Sequence, residues 1–189
     1  MDIAEAIFGR RSSREYRNRV PNEGLIRSLL EAATQAPSAV NEQPWTFTVV
    51  RDQALLNQLS DDAKTHMLAT MPPSIAAVQA EHFRVTLVNP AFQIFYHAPA
   101  LIVISGSAPG SYIVEDCALA AQNLMLRAHS LGLGSCWIGF AQSYLGTPAG
   151  KKMLGIPGSW VPVAPIIVGY PTAPRAGVPR KAPEIRWVG

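Results

Sequence analysis

The chain has 189 residues, of which 48% are hydrophobic and only 15% are charged, with a net charge of +3. An ordinary soluble domain is about 25% charged, so this chain is charge-poor, and it is too apolar to be disordered. No run reaches the ~18 apolar residues of a membrane span, and the start lacks a signal-peptide pattern. Cys117 and Cys136 are too few for a disulfide framework, a zinc site or an iron–sulfur cluster. We expect a cytoplasmic protein that hides more surface than one small globule can.

Arginine dominates the few cations. Arginine outnumbers lysine 12 to 4, and one short stretch holds five arginines: Arg10, Arg11, Arg14, Arg17 and Arg19. A guanidinium group binds phosphate or carboxylate in a planar, bidentate way. By itself the cluster is also compatible with a solvated basic face or with a nucleic-acid surface. The rest of the chain has no basic stripe with interleaved aromatic residues, which disfavours nucleic acid.

The chain begins with two helical patterns. Residues 2–9 predict a short helix, because Asp2 can cap it and Glu5 occupies the capping-box position. Asn22 begins a second helix with apolar residues at helical spacing. This helix should end near Ala36, because Pro37 disfavours helical backbone in the residue before it.

The next segments predict a loop, a strand and a helix, followed by a stretch without a clear pattern. Residues 37–44 form a loop of small and amide side chains. Residues 45–50 alternate and are rich in β-formers, which predicts a strand. Residues 55–68 predict an amphipathic helix. Within the unclear region 71–97, two adjacent prolines break any helix, and Ile75 to Val88 is compatible with one.

The second half of the chain predicts three strands and one long helix. Three apolar segments are typical of buried strands: 100–104, 135–140 and 164–168. Between the first two, Ile113 to Leu131 predicts a helix that ends at Gly132, a typical C-terminal signal. Pro162 and Pro165 weaken the beginning of the last strand. From Pro171 onward the proline-rich chain predicts an extended arm. Without repeats or a linker, residues 1–189 are expected to form one α+β domain.

Several common functional motifs are absent. The glycines of residues 132–135 follow a helix and precede a strand, the reverse of the order that a dinucleotide fingerprint requires. The turn at residues 106–110 lacks the Lys-Ser/Thr of a nucleotide-triphosphate loop. The four histidines show no metal-ligand spacing, so we expect no metal site. No serine-hydrolase elbow is present, and Cys136, within an apolar strand, is expected to pack rather than react.

Three ordered segments together resemble the flavin-dependent nitroreductase family. The segments are Arg10-Arg11-Ser12-x-Arg14, the loop Pro37-Ser38-x-x-Asn41-x-Gln43-Pro44-Trp45, and Gln122-Asn123-Leu124-x-Leu126 leading to Gly132-Leu133-Gly134. The resemblance implies a central, mostly antiparallel sheet surrounded by helices, a C-terminal extended arm and an intertwined homodimer with FMN at the subunit interface. It covers residues 1–50 and 111–181, and it does not define the role of residues 52–99 as lid or substrate pocket.

The resemblance also implies a set of FMN-binding residues, each supported by its chemistry. Arginine, lysine and serine side chains would bind the phosphate, and Arg14 would lie at the N1–C2=O edge of the ring. The 37–43 loop that contacts the ring would come from the partner subunit. Backbone N–H groups of residues 137–139 would point to N5 and O4 of the flavin. The full set is Arg10, Arg11, Ser12, Arg14, Pro37, Ser38, Ala39, Asn41, Gln43, Trp137, Ile138, Gly139, Arg180 and Lys181.

The activity implied is that of an oxidoreductase. FMN would carry hydride at N5 from NADH or NADPH to a nitroaromatic, quinone or similar acceptor by a ping-pong mechanism, and no catalytic side chain is identified. One alternative is a flavin enzyme with a different reaction, either the dehydrogenation of a substrate or the reduction of another activated bond. The other is an anion- or nucleic-acid-binding module that uses residues 10–19. The sequence does not choose between NADH and NADPH, name the acceptor or give roles to Arg17 and Arg19.

Overall fold

A computed structural model describes residues 1–71, 76–173 and 176–189. The helices in these residues are α1 (Ile3–Gly9), α2 (Glu23–Ala33), α3 (Gln53–Thr70), α4 (Ala77–Val88), α5 (Ile113–Ser130), α6 (Gly139–Leu145) and α7 (Pro148–Met153). The strands are β1 (Trp45–Val50), β2 (Ala100–Gly106), β3 (Gly134–Trp137) and β4 (Val161–Gly169). Among the described helices, none has the length and apolar character needed to cross a membrane.

The four strands form one antiparallel sheet in the order β1-β2-β4-β3. Strand β2 is buried along its whole length, and its side chains alternate between two apolar clusters. Ile102 and Ile104 face a cluster that contains α2 and α5, whereas Leu101 and Val103 face one that contains α3 and α6. A strand covered on both faces is a continuous apolar run rather than an alternating one, which explains the sequence of β2.

The edge of the sheet beyond β3 is extended by the segment that follows α1. Ser12 forms a parallel bridge with Ser135, and the Ser13 N–H donates to the Ser135 carbonyl at 3.0 Å. Gly134 is required at this edge, because a Cβ there would lie 2.5 Å from Ser13 Oγ. The sheet therefore fixes the arginine-rich segment immediately after the first helix.

The predicted helix starts are confirmed by side-chain caps. Asp2 and Glu5 form a reciprocal capping box at α1, and Asn22 caps α2. Asp52 caps α3, which begins two residues before the predicted position. Helix α5 ends at Ser130, followed by Gly132 at φ 74°. Local side-chain chemistry thus determines where these helices begin and end.

Two strand predictions need correction. The strand predicted over 135–140 ends at Trp137, because α6 begins at Gly139. Strand β4 begins at Val161 and includes both prolines that were expected to weaken its start. Pro162 lies opposite Ser105, where the register of β2 shifts, and the Pro165 carbonyl still accepts from the Ile138 N–H at 2.8 Å. The irregular pairing at Pro162 makes its missing N–H tolerable, whereas Pro165 lies in regular register opposite Val103.

Helices α6 and α7 were not predicted, since at 7 and 6 residues they are too short for a periodic pattern. The predicted middle helix is confirmed as α4 over 77–88, whereas the prolines and Ile75 before it lie outside the described residues. Residues 176–189 are exposed and contain neither helix nor strand.

Candidate functional site

The segment Arg10–Arg14 lies between two cavities at the β3 edge of the sheet. Helix α1 ends just before it, and the Arg10 N–H donates to the Ala6 carbonyl at 3.0 Å. Arg10 and Arg11 line the first cavity, and Arg14 lines the second. Ser13 also lines the first cavity, so the two cavities meet where Ser13 is followed by Arg14.

The first cavity has a volume of about 550 Å³ and is rich in cations. Its cationic side chains are those of Arg10, Arg11, Arg17 and Arg19, and the His129 imidazole also lines it. No aspartate or glutamate lines it among the described residues. Such a cavity attracts an anion.

The positive charges of this cavity act on one another. The pKa of Arg10 is lowered by burial first, then by the positive charges of Arg180 and Arg11, with a smaller opposing effect from Cys136. Burial, followed by Arg10 and Arg11, also lowers the pKa of His129. Within the described part of the chain, none of the three arginines forms an ion pair. The repulsion among these cations is left for a ligand to relieve.

Two buried polar atoms at this cavity have no hydrogen-bond partner among the described residues: Arg11 Nε and Ser135 Oγ. The Nη1 group of Arg11 is already used, because it donates to the carbonyls of Phe8 at 2.7 Å and Arg10 at 2.8 Å. Arg11 thus satisfies carbonyls at the end of α1 and still has one N–H to offer. Unsatisfied donors beside a cation cluster fit an anionic oxygen ligand.

The second cavity, of about 320 Å³, is mainly apolar and aromatic. Phe140 forms edge-to-face contacts with Phe83 and Phe92, at centroid distances of 5.3 and 6.5 Å. The Arg14 guanidinium carbon lies 5.8 Å from the centroid of the Tyr96 ring, and Arg14 is the one charged residue that lines this cavity within the described ranges. Apolar walls and one cation suit a flat ring that carries polar edges.

Residues 137–139 line this second cavity together with Arg14, as predicted for residues of one binding site. Their backbone N–H groups are not equally free to donate a hydrogen bond to a ligand. The Ile138 N–H was expected to point to a ligand, but it donates to the Pro165 carbonyl. Gly139 is the first residue of α6, so its N–H has no acceptor within the helix. Gly139 is consequently the better backbone donor of the two.

The 37–43 loop lies far from both cavities in the same chain. It leads into β1, at the opposite edge of the sheet from β3. Three strand spacings of about 4.8 Å separate the two edges by roughly 14 Å. Ser38 Oγ accepts from the Gln43 N–H at 2.9 Å, and Asn41 Oδ1 accepts from Gln43 Nε2 at 3.1 Å. The structure thus does not bring this loop together with the other predicted residues of its own chain.

The predicted site residues therefore form three groups. Arg10, Arg11 and Arg180 belong to the cation cluster, with Ser12 at the sheet edge beside it. Arg14 and residues 137–139 line the aromatic cavity, and residues 37–43 form the separate loop. Lys181 lies exposed on the terminal segment and forms no described ion pair.

Sequence reasoning missed several residues of the site. His129 was expected to have a core or surface role, yet it lines the cation-rich cavity. Tyr96 and Phe83 come from the region without a clear pattern, so no signal pointed to them. Asp116 could have been noticed in the sequence, because it is an acid on the apolar face of α5. In the structure its carboxylate contacts the 37–43 loop.

The cysteines are consistent with packing roles. Both are buried and unpaired, and burial followed by the charge of Asp116 raises the pKa of Cys117 to about 12. Cys136 belongs to the cluster that contains α3 and α6. Among the described residues, no group of three or more histidine, cysteine or acidic side chains is suited to a metal ion.

A cation cluster and an aromatic cavity adjoin one edge of the sheet in this α+β fold, an arrangement suited to an anionic ligand with a ring. The sequence profile of the Nitroreductase family matches residues 7–170. The chain therefore belongs to the nitroreductase family, which confirms the resemblance, the fold class and the expected oxidoreductase class.

Individual relatives agree with this assignment. The chain is 34% identical over 176 residues to a protein of Methanothermobacter thermautotrophicus provisionally named NADH dehydrogenase/NAD(P)H nitroreductase, covering 90% of this chain and 78% of the relative. A similarly named protein of Archaeoglobus fulgidus is 33% identical over 170 residues, covering 90% and 86%. A solved nitroreductase with bound FMN from Bacteroides fragilis superposes with a TM-score of 0.84 at 29% identity, over 100% of both chains.

The charge of His129 leads to a pH prediction. Because its pKa is lowered in the folded protein, the unfolded chain binds more protons once the pH falls below about 6.5, and folding stability then decreases with falling pH. His129→Gln removes this contribution. In a phosphate-free buffer, urea unfolding between about pH 7 and 5.5 should show a steeper loss of stability in the wild type than in the variant. Parallel curves would contradict the burial and repulsion described for His129.

Proposed function

We propose that the protein is an FMN-dependent oxidoreductase that transfers hydride from NAD(P)H to a nitroaromatic, quinone or similar acceptor by a ping-pong mechanism. One observation carries the proposal: a cation cluster without an acidic partner in the described chain adjoins an aromatic cavity along the segment that follows α1. FMN has a phosphate at one end and a flat ring at the other. Membership of the nitroreductase family and the FMN-bound relative support the same ligand.

The phosphate end fits the cation cluster. Arg10 and Arg180 lie close enough for one to lower the pKa of the other, and a phosphate dianion between them would relieve that repulsion. Arg11 Nε and Ser12 Oγ would add donors, and Lys181, on the same terminal segment as Arg180, would add a further charge. The chain's own role here is to bind and orient the ligand.

The ring end fits the aromatic cavity. Arg14 would lie near the pyrimidine edge of the ring, where a cation favours the electron-rich reduced form. Trp137, Ile138 and Gly139 would line the other side, with the Gly139 N–H available to a ring acceptor. When bound, FMN supplies the redox chemistry, taking hydride at N5 from NAD(P)H and giving it to an acceptor that uses the same place in turn. The apolar walls exclude water from that place.

We further propose a homodimer in which each chain completes the site of its partner. The 37–43 loop lies at the opposite edge of the sheet from the two cavities, so it reaches a flavin most simply in the other subunit. Its Pro37, Ser38 and Ala39 are small enough for a close approach to a flat ring. Asn41 and Gln43 carry amides that can hydrogen-bond the polar edge of that ring.

An apolar surface supports the same assembly. Helices α1 and α5 contact each other, and both expose large apolar side chains. Phe8 of α1 is 77% exposed, Leu119 of α5 is 45% exposed, and Trp187 near the C-terminus is 88% exposed. Exposed apolar side chains on adjacent helices are typical of a protein–protein contact surface. A second copy would bury it, with residues 176–189 as an arm across the partner.

The remaining proposals concern organisation and location. Residues 1–189 would form one domain, since the arm carries the cations that complete the phosphate site. A cytoplasmic location would suit a chain whose two cysteines are unpaired and buried.

Purified protein incubated with FMN is expected to be yellow, with an absorbance band at about 450 nm that NADH or NADPH bleaches and an acceptor restores. A combined Arg10→Ala and Arg180→Ala variant should bind FMN at least about 100-fold more weakly, because two charge-assisted contacts are lost. The matched control is Arg27→Ala, since Arg27 is an exposed arginine paired with Glu23.

Colourless protein after FMN addition, with no NAD(P)H consumed in the presence of any acceptor, would contradict the proposed function. A panel of nitroaromatics, quinones and other activated substrates then identifies the acceptor. Salt-dependent nucleic-acid binding without flavin binding would support the alternative in which residues 10–19 form a nucleic-acid surface.

Sedimentation equilibrium tests the dimer. The wild type is expected to be a dimer, and Phe8→Glu should shift it toward monomer and weaken FMN binding, because a charge would be buried in the α1/α5 surface. Val85→Glu is the control, since Val85 is also exposed but belongs to α4. A wild-type monomer that retains FMN would refute the shared site.

A further inference from the structure

Asp116 is a buried acid in the first turn of α5, where the helix dipole favours its charge but does not replace its lost hydration. It lies in α5 between Ile113 and Cys117 on the face that packs into the core, and it is only 3% exposed. Buried carboxylates are normally paired with a cation or held by several hydrogen bonds, because burial removes their hydration. Within the described ranges, Asp116 has no ion pair.

The one described hydrogen bond of the Asp116 carboxylate goes to the 37–43 loop. Oδ1 accepts from the Ala39 N–H at 3.1 Å, whereas the buried Oδ2 has no partner among the described residues. A buried carboxylate held by a single hydrogen bond is incompletely compensated for its lost hydration, so it contributes little to folding stability. The contact with the loop is therefore the feature that sets Asp116 apart from its apolar neighbours.

The loop needs an external anchor because its backbone is strained. Val40, Asn41 and Gln43 have positive φ values of 46°, 58° and 48°. This region is unfavourable for a β-branched residue such as valine, and Val40 is 97% exposed, so its own packing does not compensate. Strained backbone persists where surrounding contacts impose it, and it concentrates at functional sites.

Most contacts that hold this backbone lie within the loop. The Asn41 N–H donates to the Ser38 carbonyl, and Ser38 Oγ accepts from Gln43. Of the described hydrogen bonds of residues 38–43, only the one to Asp116 reaches the rest of the chain. Asp116 thus connects the strained loop to the long helix at the core of the fold.

We propose that Asp116 is a positioning residue for FMN binding, which acts by holding the 37–43 loop in the shape that it presents to the partner's cofactor. This inference rests on the proposed function, because it assumes that the loop of one chain contacts FMN in the other. Asp116 itself touches no cofactor in this account. It fixes the Ala39 amide, and the loop built on that amide contacts the ring.

Asp116→Ala tests the role directly. The apoprotein should keep its melting temperature, because a poorly compensated charge is removed and the half-buried Ala39 N–H can bind water. Loop amides 39–43 should exchange faster with deuterium, and FMN should bind at least about tenfold more weakly, the loss expected for one hydrogen bond to a charged group. Asp116→Asn keeps an oxygen acceptor for Ala39, so it should restore both loop protection and FMN affinity.

Two further variants isolate the hydrogen bond. Ala39→Pro removes the donor instead of the acceptor. Proline is compatible there, because Ala39 begins a one-turn helix and Ser38 before it is extended at φ −138° and ψ 157°. Ala39→Pro should weaken FMN binding in the wild type but add little to Asp116→Ala, and it carries the test if Asp116→Ala does not fold. Cys117→Ala, a buried neighbour on the same helix, should leave FMN affinity unchanged.

The outcomes separate this inference from the proposed function. If the wild type binds no FMN, the proposed function fails and the inference fails with it. If the wild type binds FMN and Asp116→Ala binds it equally well, the inference alone is overturned. It is also overturned if Asp116→Asn is as weak as Asp116→Ala, or if the loss of affinity merely follows a fall in melting temperature.

Discussion

The mutual repulsion of the cations after α1 is the constraint on which the site depends. Burial first, and then the nearby charges of Arg180 and Arg11, lower the pKa of Arg10, and no carboxylate in the described chain pairs with these three arginines. The capping box of α1 and the bridge between Ser12 and Ser135 fix the backbone on either side of Arg10 and Arg11. An anionic ligand bound there would relieve the repulsion among these arginines.

The two edges of the sheet carry different parts of the proposed site. One edge carries the cation cluster and the aromatic cavity, and the other carries the strained loop that Asp116 holds in place. A single chain does not bring both edges together, whereas two copies related by a twofold axis would. The same arrangement accounts for the composition, because a chain that buries α1 and α5 against a partner needs few charged residues on those helices.

Much of the fold could be predicted from the sequence, because its signals are local. Asp2, Asn22 and Asp52 mark helix starts through their own side chains, and the apolar run of β2 indicates a strand covered on both faces. The resemblance to the nitroreductase family was also detectable, since each of its motifs is a short contiguous segment. Helix α6 escaped prediction because it is one short segment directly after a strand, without a periodic pattern of its own.

The site was less predictable, because part of it exists only through tertiary contacts. His129 lies beside the cation cluster because the end of α5 packs against Gly9, and no spacing in the sequence predicts that contact. Tyr96 reaches Arg14 from a region with no readable pattern. Asp116 was visible as an acid on an apolar helix face, but its partner Ala39 lies 77 residues away in the chain. Assigning Arg10 and Arg14 to different ends of one ligand required the two cavities.

The central claim is that the cation cluster exists to bind the phosphate of FMN. Riboflavin carries the same ring without the phosphate, so comparing the dissociation constants of the two for the wild type at low and high salt isolates that interaction. The account predicts that FMN binds at least about 100-fold more tightly than riboflavin, and that salt narrows the difference. Equal affinity for FMN and riboflavin at low salt would contradict it.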